Sequence, residues 1–385
     1  MTDRNFREAV LLDPRYARVI QDSRMKIAKL ATLATLTALL CTAAAQPTEA
    51  AATKAHSAVV GGNTVAQGQY PWIVATSLGC GGSLIAPDRV LTAGHCTEDL
   101  RADTVRLYVG ARQRVRGSLR YDGREVRVAD VATHPGYRSL DGGGPANDVA
   151  ILRLATPVDD VAPVILAGPQ DAAAYAAGAF VSVLGWGVTR TDRRDPPLAR
   201  ALRFGGLRML SDQSCGRVYG DDGGYRSGVM LCARSRNAFR RPNTSPCVGD
   251  SGGPLITEGG MQVGVVSFGI SCGALREPTV FAEVAGLRPF IDDPDPVWSP
   301  QPEGRPRISG RVAAGNIVSC DPPPFRNQVR RLRYRWGVNR LLVATGRRVR
   351  VTPSAVGKIL QCRVVAENDG GTTPSAASPR YRVTR

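Results

Sequence analysis

The sequence predicts an all-β fold, because short apolar runs alternate with turn-forming residues along most of the chain. Runs such as Trp72–Ala75, Arg89–Thr92 and Val181–Leu184 are broken by Gly, Pro and Asp, a pattern typical of β-strands. Helical periodicity is weak except around Ser211 to Arg217 and Val284 to Ile291. We therefore expect an all-β protein with two brief helices.

The N-terminus has the pattern of a secretion signal. At 385 residues the chain is long enough for two compact units and a targeting sequence. Two lysines precede an apolar run from about Leu30 to Cys41, and alanines follow at 43–45. The signal fits a start at Met25 better than one at Met1. We interpret 1–45 as leader and secretion signal, which predicts a secreted, extracellular protein.

Cysteine usage also indicates export. Nine cysteines would be a liability in a reducing cytosol. Cys41 belongs to the signal, where a small apolar residue is a better interpretation than a lipidation site, so eight remain. No other apolar stretch reaches the roughly 20 residues that span a bilayer, which predicts a soluble mature protein without a transmembrane segment.

The C-terminal part carries most of the charge. The formal net charge is +17, and residues 299–385 hold 17 Lys+Arg against 4 Asp+Glu, a local balance of +13. Such a surface can attract anionic cell-wall or other surface polymers or membrane headgroups, or can simply be solvated. We expect no nucleic-acid partner, and an anionic cell-wall or surface polymer stays open.

Composition divides the remaining chain. Residues 46–58 are Ala- and Thr-rich and are predicted to be a removable pro-segment, followed by a first domain at 59–293. A Pro-rich stretch at 294–304 is predicted to be a stiff polar linker. Alternating strands with Cys320, Trp336 and Cys362 in that order predict a small second domain at 305–385.

Three segments carry the chemistry. Gly249–Pro254 presents Ser251 among glycines and beside Asp250, a candidate nucleophile. Upstream, Thr92–Cys96 contains His95 and Asn147–Leu152 contains Asp148, a candidate base and its orienting acid. The chain order His, Asp, Ser differs from that of subtilisins and of α/β-hydrolases.

With Gly185–Gly187 and Val59–Gly62, these segments resemble chymotrypsin-type (trypsin-like, peptidase S1) serine proteases of the secreted bacterial type. The resemblance implies two six-stranded antiparallel β-barrels. The Cys, Trp, Cys order of the second domain resembles an immunoglobulin-like β-sandwich, in which a tryptophan packs on a disulfide between the sheets.

The resemblance also implies residue roles. His95, Asp148 and Ser251 would form a catalytic triad, and the backbone N–H groups of Gly249 and Ser251 an oxyanion hole. Cleavage before Val59 would free an amine that pairs with Asp250 and activates a zymogen. Ala58 rather than Lys or Arg precedes this bond, which favours activation by a protease that prefers small residues.

The expected substrate pocket carries no charge on its floor. Ser245 stands where trypsins have an aspartate, and the walls are expected at Ser267, Phe268 and Gly269. Thr279, where glycine is usual, would shorten the cavity. We therefore expect cleavage after small or medium uncharged residues, with Glu277 as the main alternative source of charge.

The resemblance implies three disulfides, and a fourth follows for the two cysteines that remain. The pairs are Cys80–Cys96, Cys215–Cys232, Cys247–Cys272 and Cys320–Cys362. No free thiol, cofactor motif or metal site is expected, and no segment of the sequence is assigned as a calcium-binding loop. The leading hypothesis is a secreted serine endopeptidase, and the alternative is an adhesive or cell-wall-binding protein with a vestigial protease domain.

Overall fold

The computed structural model describes residues 59–60, 62–139, 144–189, 198–220, 224–236, 244–273 and 276–385. These residues belong to one compact unit. The predicted leader at 1–45 and pro-segment at 46–58 lie outside them.

Nine strands form the first part of the fold. They are β1 Asn63–Thr64, β2 Ile73–Thr76, β3 Gly81–Ala86, β4 Arg89–Thr92, β5 Arg106–Val109, β6 Arg124–Thr133, β7 Arg138–Ser139, β8 Pro145–Ala146 and β9 Ala150–Leu154. Six of them close a barrel in the order β2, β3, β4, β9, β6, β5. Its interior is aliphatic, with Val74, Leu84, Val90 and Leu152 fully buried.

Six further strands form a second barrel. They are β10 Phe180–Gly185, β11 Arg203–Met209, β12 Met230–Ser235, β13 Pro254–Thr257, β14 Gln262–Gly269 and β15 Thr279–Glu283. They follow the order β11, β10, β13, β14, β15, β12, and β12 pairs with β11 to close the ring while β1 adds to its edge. The two predicted six-stranded antiparallel barrels are thus confirmed.

Two α-helices lie at the predicted places. α1 spans Asp212–Tyr219, begins after the capping residue Ser211 and ends at Gly220, whose φ is +86°. α2 spans Val284–Ile291 and packs against both barrels. Short 3-10 helices occur at Gly94–Thr97, Ala102–Thr104, Pro169–Tyr175 and Pro353–Ala355. Within the described ranges, no helix is both long and apolar enough to cross a lipid bilayer.

The C-terminal part forms three small sheets. Its strands are β16 Gln301–Pro302, β17 Arg307–Ser309, β18 Ile317–Asp321, β19 Phe325–Arg326, β20 Arg331–Val338, β21 Leu341–Thr345, β22 Arg348–Arg350, β23 Ile359–Asn368, β24 Gly371–Pro374 and β25 Tyr381–Arg382. One sheet has the order β21, β20, β23, β24, with β25 on β23, and another the order β17, β18, β22. The Cys320–Cys362 disulfide joins β18 to β23, and Trp336 is buried in the same core.

The C-terminal part covers an open edge of β6. The Ser299 N–H donates to Val131 O at 2.7 Å, and Thr133 N–H donates to Gly370 O at 2.9 Å. An unpaired strand edge attracts other strands. These two bonds therefore protect the first barrel where it approaches His134.

A buried carboxylate reinforces this contact. Asp130, on β6, is 1% exposed, and burial alone would raise its pKa, but hydrogen bonds from Arg153 and Asn327 and the charge of Arg326 lower it overall. Arg326 lies 3.0 Å and Asn327 Nδ2 3.1 Å from Asp130 Oδ1. The C-terminal part thus supplies two of the three partners of a barrel carboxylate.

The stretch predicted to be a polar linker is largely packed. Trp298 lies in the core that α2 shares with both barrels, and its indole N–H donates to Asp295 Oδ1 at 3.0 Å. Pro296, Ser299 and Gln301 are buried as well. The prolines suggested an extended spacer, but the large apolar indole anchors the segment to the barrels.

Candidate active site

An imidazole and a buried carboxylate form the centre of the site. His95 lies in the 3-10 helix after β4. Asp148, which is 1% exposed, lies two residues before β9 begins at Ala150. Nδ1 of His95 lies 2.8 Å from Asp148 Oδ2, and the His95 backbone N–H donates to Oδ1, also at 2.8 Å. The Ser267 hydroxyl donates to Oδ2. Because Nδ1 is engaged by the carboxylate, Nε2 is the nitrogen left for proton transfer.

The electrostatics of His95 suit a general base. Desolvation lowers the pKa of His95, but the charge of Asp148 and its hydrogen bond outweigh that effect, with a smaller contribution from Glu98, and the pKa is raised overall. Asp148 therefore stabilises the imidazolium that forms when the ring takes a proton.

A backbone hydrogen bond and a disulfide link the segment that contains Ser251 to the segment that contains His95. Its carbonyl accepts from Gly81 N at 2.8 Å, and Gly81 follows Cys80, which is disulfide-bonded to Cys96 beside His95. In the described part of the chain, no hydrogen bond joins Ser251 Oγ to His95 Nε2. Such contacts in ligand-free sites are often long and shorten when substrate binds.

Gly249 gives the loop before Ser251 its shape. Its φ is +94°, a conformation that side chains rarely adopt, and a Cβ there would lie 2.6 Å from Leu198 Cδ2. Among the described residues, no protein acceptor receives the N–H of Gly249 or of Ser251. Both donors remain available for an oxyanion.

Asp250 is completely buried. Its oxygens accept from Gly187 N at 2.7 Å and from Cys247 N at 2.9 Å, yet desolvation raises its pKa to about 7. A Cβ on Gly185 or Gly187 would lie 2.0 or 2.3 Å from an Asp250 oxygen. The glycines of the Gly185–Gly187 motif therefore leave room for this carboxylate.

Val59 lies close to the same loop. It is buried at 0% exposure in the second-barrel core, and its φ of +47° is unfavourable for a β-branched residue. Val60 and Ser245 exchange backbone hydrogen bonds of 3.1 and 3.2 Å. The Val59–Val60 segment thus runs beside the expected floor of the substrate pocket.

The expected pocket residues lie on neighbouring segments. Ser245 is buried and donates its hydroxyl to Pro246 O at 2.9 Å, so its side chain is already satisfied. Thr279 pairs with Gly269 across β14 and β15, and its Oγ1 would lie 3.6 Å from a Cβ on Gly269. The threonine side chain therefore occupies the space that opens above Gly269.

Behind Phe268, an expected wall residue of the pocket, lies a second aromatic side chain. Phe268 packs edge-on against Tyr219, with ring centroids 5.4 Å apart. Glu277 contributes to raising the pKa of Tyr219, after burial, and one of its own carboxylate oxygens is buried without a hydrogen-bond partner in the described residues. Glu277 is half-buried.

All four predicted disulfides are confirmed. Sγ of Cys80, Sγ of Cys96 and a ring nitrogen of His95 lie within 4.8 Å of one another, a spacing that could suit a metal ion. Both sulfurs belong to one disulfide, however, so neither is a thiolate ligand. The disulfide instead ties the segment that contains His95 to Cys80.

A comparison with protein families assigns residues 59–291 to a known family. The family model described as Trypsin matches residues 59–291, more than half of the chain. The chain belongs to the trypsin family of serine proteases.

Individual relatives match about 60% of the chain. Human serine protease 56 is 33% identical over 268 residues, which cover 64% of this chain and 40% of that protein. Trypsin beta of Drosophila erecta is 29% identical over 240 residues, covering 60% and 87% of the two chains. The solved structure of neuropsin, a serine protease expressed in the limbic system of mouse brain, has 27% identity and a TM-score of 0.49, covering 60% and 98%.

The chain thus spans about 40% of the length of serine protease 56. These relatives are animal proteins, and the expected bacterial type stays a prediction.

Sequence reasoning did not find every residue of the site. Ser267 was expected as a pocket wall, but its side chain is buried against Asp148, which leaves only its backbone to face a substrate. Thr133 was not singled out, and its hydroxyl lies 2.8 Å from that of Thr97, close after His95 in the chain. Neither contact has a local sequence signal, because each joins distant parts of the chain.

Proposed function

We propose that this protein is a serine endopeptidase that cleaves peptide bonds with Ser251 as nucleophile, His95 as general base and acid, and Asp148 as the group that orients the imidazole. The hydrogen bond between His95 Nδ1 and buried Asp148 is the observation that carries this assignment. As Ser251 Oγ attacks the carbonyl carbon, its proton passes to His95 Nε2. The imidazolium then donates this proton to the departing amine.

The same site stabilises the oxyanion and hydrolyses the acyl-enzyme in the second half of the reaction. The carbonyl oxygen becomes negative in the tetrahedral intermediate, where the N–H groups of Gly249 and Ser251 stabilise it. Loss of the amine leaves an ester on Ser251. A water molecule, deprotonated by His95, hydrolyses that ester and returns the serine.

The protein is made as a zymogen in this proposal. Asp250 is buried without a cation among the described residues, and Val59 has a strained φ while it is peptide-bonded. Cleavage after Ala58 removes the preceding carbonyl that causes the strain and creates an ammonium group. That group pairs with Asp250, and the pair orders the loop that contains Gly249.

The preferred substrates carry small or medium uncharged residues before the scissile bond. Ser245 brings no charge, and Thr279 fills space above Gly269. The buried oxygen of Glu277 favours a second candidate, a preference for basic residues. Rates on matched alanyl, leucyl and arginyl peptide substrates distinguish the two, since faster arginyl cleavage would overturn the first.

The other regions complete the proposal. Residues 1–45 direct secretion, 46–58 form the pro-segment, 59–293 the protease domain, 294–304 the connection and 305–385 an immunoglobulin-like domain. Four disulfides suit an oxidising, extracellular location. The basic domain supplies a contact with an anionic surface partner, for which a cell-wall or other surface polymer is the expectation from sequence.

A fluorophosphonate probe tests the catalytic assignment. Protein that begins at Val59 should be labelled on Ser251, and His95→Ala should lower labelling and turnover by on the order of 10⁴-fold. An exposed-site variant, Ile165→Ser, provides the control. Absence of labelling on Ser251, or labelling that His95→Ala leaves unchanged, would favour the alternative, an adhesive protein with a vestigial protease domain.

A further inference from the structure

One end of the longest C-terminal sheet lies away from the hairpin that contacts β6. β23 is ten residues long, about 30 Å at ~3.3 Å per residue. At one end, Asn368 donates to Trp298 O at 2.8 Å beside the docked hairpin. At the other end, Ile359 O accepts from Asn339 N at 2.9 Å. The Asn339–Arg340 turn therefore stands at the opposite end of the sheet from the protease.

The three residues that follow this turn are apolar and exposed to solvent. Leu341, Leu342 and Val343 are 73%, 65% and 54% exposed. In a half-buried strand, successive side chains alternate between core and solvent, but here all three lie outside the core. β21 is also the edge strand of its sheet. A contiguous exposed apolar patch of this kind marks an interaction site.

Cations surround the patch. Arg335 on β20 and Arg363 on β23 are directly opposite each other and both exposed, an arrangement that weakens a sheet. That pair lies midway along the two strands, whereas Arg340, with φ of +75°, and Lys358 are exposed at the end that carries the turn. Within 276–385, which is described throughout, none of these four forms an ion pair.

The acidic residues of the domain are engaged elsewhere. Ion pairs join Asp369 to Arg330 and Glu367 to Arg333 near the docked end, and Asp321 to Arg347 on the other sheet. The unpaired cations and the apolar triplet thus form one surface, the distal tip, which consists of Arg335, Arg340, Leu341, Leu342, Val343, Lys358 and Arg363.

We propose that the distal tip binds the surface of an anionic lipid bilayer, with the apolar triplet inserted among the lipid chains and the cations against the headgroups. This inference rests on the proposed anionic partner and narrows its chemistry. A charged polymer in water would match the cations but offers no apolar phase to three aliphatic side chains. Both features are satisfied together at a membrane interface.

The docked end and the tip have separate tasks in this arrangement. The hairpin at Asn368–Gly371 holds the domain to β6, while the tip contacts the bilayer at the far end of β23. The protease acts on substrates near the lipid surface.

Vesicle flotation with the full chain carrying Ser251→Ala tests the proposal without involving catalysis. We expect binding to phosphatidylcholine vesicles that contain phosphatidylglycerol, little binding to phosphatidylcholine alone, and weakening by salt. Leu341→Ser with Leu342→Ser should lower the partition coefficient at least about tenfold. Arg335→Ser with Arg363→Ser should also lower it. Ile165→Ser, a lone exposed apolar residue, and Arg120→Ser, an exposed cation, are matched controls.

Other outcomes would overturn the proposal. If the leucine variant bound anionic vesicles as tightly as its parent, and dextran sulfate competed fully, the tip would be a polymer site. If sedimentation showed a dimer that the leucine variant dissociates, with no vesicle binding, a second copy would cover the patch. Circular dichroism of each variant reports folding, and fluorophosphonate labelling of the Ser251 protein separates this result from that of the catalytic assignment.

Discussion

The uncut chain should lose stability as pH rises, because Asp250 is buried without a cation among the described residues. Burial raises the pKa of Asp250 from 3.8 to about 7. Between these values the folded chain holds a proton that the unfolded chain has released, so the free energy of unfolding falls as pH increases. The difference of about 3 pH units corresponds to about 4 kcal/mol, at about 1.4 kcal/mol per unit.

Urea unfolding of the uncut Ser251→Ala chain at pH 4 to pH 8 measures this loss. Asp250→Asn in the same background is the control, because its side chain does not titrate and the difference between the two curves isolates one carboxyl group. Once the chain is cut before Val59, the ammonium group should reduce or remove the fall. Parallel pH profiles for the parent protein and the Asp250→Asn variant would refute the reasoning.

Three substitutions probe other parts of the structure. Arg326→Ala removes a partner of buried Asp130 and should lower the free energy of unfolding by about 1 to 3 kcal/mol, whereas an exposed control at Arg120 should change it little. Trp298→Ala should cost about 3 to 5 kcal/mol in the same urea assay, because it empties a core position, and a value below about 1 kcal/mol would show that the segment is not anchored. Thr279→Gly should raise kcat/KM for large apolar residues relative to alanine in a peptide series, and an unchanged ratio would remove Thr279 from the pocket.

The barrels and the centre of the site were predictable because their signals are local. Gly249–Pro254 requires a glycine at positive φ followed by a buried acid, and Gly185–Gly187 requires room for that acid. Each of these structural requirements restricts the residue types that can occupy neighbouring positions. A reader of the sequence can therefore recognise these segments without knowing which ones touch.

The contacts between the C-terminal part and the first barrel were not predictable in this way. Asn327 and Asp130 are 197 positions apart, and either one alone resembles an ordinary surface polar residue. The Thr133 to Gly370 bond uses backbone atoms, which carry no sequence signal at all. Trp298 was the one available sign, since a tryptophan in a proline-rich stretch seldom remains in solvent.

Direct observation of the acyl-enzyme tests the central claim, that Ser251 attacks with His95 as base. Protein beginning at Val59 would be mixed with an activated ester whose acyl group leaves slowly, quenched in acid and digested for mass spectrometry. The acyl group should be found on the peptide containing Ser251, and His95→Ala should remove it on the same time scale. Acylation of another residue, or an equal yield without the imidazole, would contradict the account.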